Sequence, residues 1–157
     1  MNIKHFLLAL ILLASVNSQA QKQLFDHLSK MDGVTTVYIS KAMLQMMPDM
    51  QVQEGMDLSN FAGKLDGLLI LTSEQESINK MMRNETAHFA DNSAYEVLMK
   101  VRDEESKVDF FIRKKPDQRI AELVMLVDDD GEFVIIQMTG NMTMDDIKQL
   151  TKGMNKH

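Results

Sequence analysis

YEVLMKVRDEESKVDFFIRKKPDQRIAELVMLVDDDGEFVIIQMT, residues 95–139, decides the fold. Here the pattern of apolar residues has a period of two. Tyr95, Val97, Met99 and Val101 alternate with Glu96, Leu98 and Lys100, and Val108, Phe110 and Ile112 alternate with Asp109, Phe111 and Arg113. Residues 120–127 are largely apolar, with Glu122 as their one charge, and residues 133–139 are rich in β-formers. The connections at 103–106, 114–118 and 128–131 are short and polar, and short loops between strands imply antiparallel hairpins. The stretch is therefore expected to be a four-stranded meander, with Asp130-Gly131 its sharpest turn and Gly140 closing the last strand.

Downstream, Thr143 and Asp146 open an expected final helix over Met144, Ile147 and Leu150. Upstream, Leu24, Phe25, Leu28 and Met31 share one face of a helix over 23–31, which Asp32-Gly33 ends. The β-branched run 34–39 reads as a strand. Ser40 can cap a helix over 41–47, which stops before Pro48. A short helix over 58–64 with Asp57 as its cap, and a buried strand over 65–72, follow. Ser73 and Glu76 have capping-box spacing, ahead of a helix with Ile78, Met81, Met82, Glu85 and Phe89 along one stripe. The expectation is a single α+β domain over 21–157, with a mostly antiparallel sheet and helices packed mainly on one face.

Residues 1–20, MNIKHFLLALILLASVNSQA, carry Lys4, nine apolar residues from Phe6 to Ala14, and small residues at Ser18 and Ala20. This is the pattern of a secretory signal peptide, and its apolar run falls short of a membrane span. The chain is expected to be exported, to the periplasm or beyond, with no transmembrane segment in its mature part. At 157 residues, 45% hydrophobic and 25% charged, the chain fits one globular domain. It has no Cys, which removes disulfides, thiol catalysis and Cys-ligated zinc. A formal charge of -6 without a long basic run argues against nucleic acid as a partner.

Three stretches, VTTVYISKAM at 34–43, YEVLMKVRDEESKVDFFIRKK at 95–115 and IAELVMLVDDDGEFVIIQMTGNMTMDDIKQL at 120–150, together resemble the DUF4252 family. The resemblance covers roughly 22–152. It implies a small exported protein of the kind found mainly in the Bacteroidetes, and it brings no catalytic residues with it.

The chain holds 15 Met. Met43, Met46 and Met47 are candidate thioether ligands for Cu(I) or Ag(I), but at helical spacing they read first as a core stripe. The run Asp128-Asp129-Asp130-Gly131-Glu132 fails as a calcium loop. With Gly131 at position 6, Leu126 and Gln137 fall where acids are required, so a hairpin tip is expected. Arg113, Lys114, Lys115 and Arg119 form a basic tip, a candidate partner-binding surface for an anionic lipid head group or an acidic partner. His27, His88 and the terminal His157 stand in no recognisable catalytic motif, and Glu122 is expected on the solvent face of its strand. No cofactor is expected. The sequence is best read as a non-enzymatic envelope protein that binds another protein or a peptide, for which an open sheet edge is one route. A hydrolase-like enzyme of unfamiliar type and a Met-based metal binder are the alternatives.

Overall fold

The structure, a computed structural model, describes residues 21–46, 51–53, 56–57 and 62–152. The expected signal peptide, Met47, most of the expected helix over 58–64 and the tail after Gly153 lie outside the described residues. The described chain runs α1 (residues 21–28), β1 (Thr35–Ser40), α2 (Lys41–Met46), β2 (Gln51–Gln53), β3 (Met56–Asp57), β4 (Leu65–Ser73) and α3 (Glu76–Thr86). Then follow β5 (Glu96–Arg102), β6 (Lys107–Lys114), β7 (Ile120–Asp129), β8 (Glu132–Met142) and α4 (Met144–Lys152).

Six strands form one antiparallel sheet in the order β1-β4-β8-β7-β6-β5, and β2 and β3 pair separately. The expected meander is β5 to β8. The two earlier strands extend it on the far side of β8, so β1 and β5 are the edges. Asp130-Gly131 makes the β7–β8 turn, and Gly131 takes the left-handed backbone (φ 82°) that glycine tolerates without a Cβ clash.

Residues 120–127 are buried without interruption, because β7 has both faces covered. Phe25 and Leu28 of α1 and Met82 of α3 pack with Phe89, Phe111, Val124 and Ile135 on one face. Leu44 of α2 and Ile147 and Leu150 of α4 pack with Phe110, Leu123, Met125 and Met138 on the other. The α+β class and the antiparallel sheet match the sequence expectation. The helices, expected mainly on one face, are shared between two. The physical reason is that β6, β7 and β8 carry apolar side chains at both parities, so each face needs a cover.

Local chemistry sets the helix ends. The Ser40 hydroxyl accepts the Met43 N–H at 3.3 Å, the expected cap of α2. At α4, the Thr143 N–H donates to Asp146 at 2.7 Å and the Asp146 N–H donates to the Thr143 hydroxyl at 3.2 Å, a reciprocal capping box. Ser73 does not cap α3. It ends β4, its hydroxyl accepts the Gln75 N–H, and Gln75 holds the cap position without a side-chain bond. The buried residues of α3 are Asn79, Met82 and Thr86, while Met81 is exposed. The stripe is rotated because Asn79 donates to the Gly131 carbonyl and the Thr86 hydroxyl to the Met82 carbonyl, which lets both polar side chains be buried.

Two further expectations are corrected. The methionines of α2 are not a core stripe: Leu44 is its buried residue, and Met43 and Met46 are exposed. Gly140 does not end β8 but lies within it, facing Leu65. A Cβ there would fall 2.2 Å from the Lys64 carbonyl oxygen, so the absent side chain permits close approach of two backbones.

Candidate functional site

On the face covered by α1 and α3, the sheet divides into an apolar half and a polar half. β8 shows the division within one strand. Phe133 and Ile135 are buried, and the next two residues of the same parity, Gln137 and Thr139, are half-buried. The polar half is open and forms a cleft of about 470 Å³ beside α1. Arg113, Glu122, Gln137 and Thr139 lie along its sheet side, Tyr38 stands on β1, and Lys22, Phe25 and Asp26 face it from α1.

Glu122 is the centre of this half. It is 2% exposed, which overturns the expectation of a solvent-facing residue. The Tyr95 hydroxyl donates to its Oε2 at 2.8 Å, and Arg113 Nε donates to the same oxygen at 3.0 Å. Gln137 Nε2 donates to Oε1 at 2.7 Å. A carboxylate removed from water must be paired and hydrogen-bonded, and three donors, from β6, from β8 and from the residue before β5, meet that need. Tyr95 in turn packs edge-on against Phe89 (ring centroids 4.9 Å apart), which joins the network to the aromatic core. Burial, then the adjacent Glu122 charge, pushes the Tyr95 hydroxyl far above its usual value, with Arg113 acting weakly in the opposite direction. The phenol therefore stays a donor. With both oxygens occupied, Glu122 holds the sheet wall in shape and fixes Arg113 and Gln137 towards the cleft. That suits recognition of a ligand better than proton transfer.

The four residues of the predicted basic tip separate. Arg113 belongs to the Glu122 network, and Lys114 pairs with Glu96 at 2.9 Å. Lys115 and Arg119 are brought together on the Asn141 side chain, at 3.2 and 2.8 Å. Met43 and Met46 sit on the surface of α2, and Met47 lies outside the described residues. His88 Nε2 is 3.0 Å from Gln21 Nε2, in a shallow cleft that His27 also lines. Among the described residues no group of three His, Asp or Glu is placed to hold a metal ion. Asp128 accepts two bonds from Arg83, at 2.7 and 2.9 Å, which ties α3 to the end of β7.

The two sheet edges differ. β5 carries Glu96, Lys100 and Arg102 and is bulged between Val97 and Met99, features that discourage further pairing. β1 reads Thr-Thr-Val-Tyr-Ile-Ser, with no charge, no proline and no register break against β4. Its exposed residues include Val37 at 44% and Tyr38 at 66%. Sequence reasoning anticipated an open edge without identifying which strand would supply it, since the pairing of β1 with β4 and of β4 with β8 joins segments distant in the chain.

No helix among the described residues is long and apolar enough to cross a membrane. Comparison with curated proteins and with solved structures finds no match. The family model for a domain of unknown function, DUF4252, matches residues 25–150. That span includes both sheet edges and every strand of the Glu122 network, and the chain belongs to the DUF4252 family.

Proposed function

We propose that this protein is a non-enzymatic binding module of the cell envelope that takes an extended segment of a partner protein by strand addition along β1. The observation that carries this reading is the contrast between the edges. β5 is charged and bulged, whereas β1 offers six unbroken, uncharged residues whose outer backbone groups pair with no strand among the described residues. An extended chain satisfies such a row with its own N–H and C=O groups, and alternate side chains then read the surface beside it. The occupant is accordingly a peptide segment rich in β-formers and low in charge. The envelope setting rests on the signal-like residues 1–20.

The test uses peptides selected from a random library on the purified protein. Val37→Lys places a charge in the middle of β1 and is expected to weaken the selected peptides by about tenfold or more, roughly the energy of one good contact. Val101→Lys, on β5, is expected to leave them unchanged. Equal losses in both variants, or none in either, contradict strand addition at β1.

A second reading, a surface Cu(I) or Ag(I) site, is favoured by one observation: Met43 and Met46, three residues apart on α2, are both exposed. Cu(I) titration of the protein and of a Met43→Leu/Met46→Leu variant tests it, and equal affinities end it.

A further inference from the structure

We propose that the cleft beside α1 is a separate binding site for a small zwitterion bearing a free carboxylate next to an N–H donor, an α-amino acid or the carboxyl end of a short peptide. Its volume, about 470 Å³, lies within the range of small-molecule sites, about 300–1,000 Å³. Strand addition along β1 uses the outer edge of the sheet, whereas this site lies across its face, so the two proposals stand on different observations.

The donors and acceptors specify the ligand. Arg113 is oriented through its Nε bond to Glu122, and its side chain is one-third exposed. Arg113 lines the cleft, and the guanidinium N–H groups not used by Glu122 can take a planar carboxylate. Gln137 gives Nε2 to Glu122, which fixes the orientation of its amide and leaves Oε1 as an acceptor. Gln21 lines the same cleft, and its Nε2 is 3.0 Å from His88 Nε2. An amide acceptor, Gln137 Oε1, therefore lies in the same cleft as a guanidinium that can take a carboxylate.

Charge decides against a polyanion. Arg113 and Lys22 contribute two cations to the lining, and Glu122 and Asp26 two anions, so the cleft is formally neutral. Phosphate would meet the Asp26 carboxylate, and Arg113 is already neutralised by Glu122. A zwitterion instead places its carboxylate at Arg113 and its nitrogen towards Asp26 and the Gln137 oxygen. Phe25 and Leu69 supply apolar wall for an aliphatic or aromatic side chain.

The test is nuclear magnetic resonance of the purified, isotope-labelled protein, reading the side-chain signals of Gln21, Gln137 and Arg113. Pools of free amino acids, of tripeptides with a free carboxyl end and of the same tripeptides amidated are added up to about 10 mM, a concentration that detects even weak sites. Saturable shifts with free amino acids, or with carboxyl-free tripeptides, support the site and identify its source. Lys22→Glu, a change on the exposed face of α1, is then expected to weaken the ligand by about tenfold. Arg113→Lys, checked for retained fold by its amide spectrum, is expected to weaken it further. No saturable shift from any pool, equal shifts from amidated and free tripeptides, or tighter saturation by inorganic phosphate overturns the proposal.

Discussion

Arg113 and Glu122 are register partners on β6 and β7, and the guanidinium Nε lies 3.0 Å from the carboxylate on a buried stretch of sheet. The pair is the polar counterpart of the apolar contacts around it. It lets an otherwise continuous hydrophobic strand bury a carboxylate at the wall of the cleft. Breaking a buried pair leaves a charge without a partner, which costs about 3–5 kcal/mol, whereas removing both members is far milder. Arg113→Met is expected to destabilise the protein by about 3 kcal/mol, and Arg113→Met/Glu122→Leu by less than the single change. Denaturant unfolding of the two variants checks the order.

Tyr95 gives a pH prediction. Its hydroxyl is raised above the unfolded value of about 10. A group whose folded value is raised contributes stability that is fully present below the unfolded value. That contribution is lost as pH rises through the folded value. Stability is therefore expected to fall with increasing pH above about 10, and to fall less steeply in Tyr95→Phe. In a Tyr38→Phe background the tyrosinate absorbance reports Tyr95 alone, and its ionisation is expected to be delayed well beyond the ordinary phenol range.

Asp146 acts at the other end of the scale. Burial alone would raise its carboxyl, but the hydrogen bonds from Lys64 and from the Thr143 backbone and hydroxyl outweigh it and hold the group below its usual value. A lowered group contributes stability above its unfolded value, near 3.9, which is lost as pH falls through the folded value. Asp146→Asn is expected to lower stability at neutral pH by about 1 kcal/mol or more, the scale of a lost helix cap. Its acid unfolding curve is expected to be flatter below about pH 4.

Gly140 is tested by a single methyl. Gly140→Ala sets a Cβ against the Lys64 carbonyl and the Leu65 Cα, both backbone atoms that cannot swing aside. A loss of about 1–3 kcal/mol is expected, as for other overpacked sites. Gly63→Ala, which has open space around it, serves as the control in the same thermal unfolding series.

The meander was legible because hairpins are local. Alternation, the polar turns and Asp130-Gly131 all act within a few residues, and so does the Thr143–Asp146 capping box. The helix faces were harder. Met81 and Asn79 differ by two residues, and what turns Asn79 inward is a carbonyl at Gly131, far along the chain. Glu122 would face solvent on a strand covered on one side only, and β7 is covered on both. The uninterrupted burial of 120–127 has a sequence signal, apolar residues at both parities, which requires a cover on each face. A carboxylate on such a strand needs a cation across the hairpin, and Arg113 stands in that position. The place of β1 at the sheet edge had no local signal, because β1 and β4 meet only through the pairing of the whole sheet.

Strand addition at β1 would be visible in the strand's own backbone amides. Amide hydrogen exchange of the protein, free and with a library-selected peptide, tests it most directly. Backbone amides within Thr35–Ser40 are expected to gain protection on binding while those of Glu96–Arg102 keep their rates. Protection confined to β5, or to residues away from both edges, contradicts it.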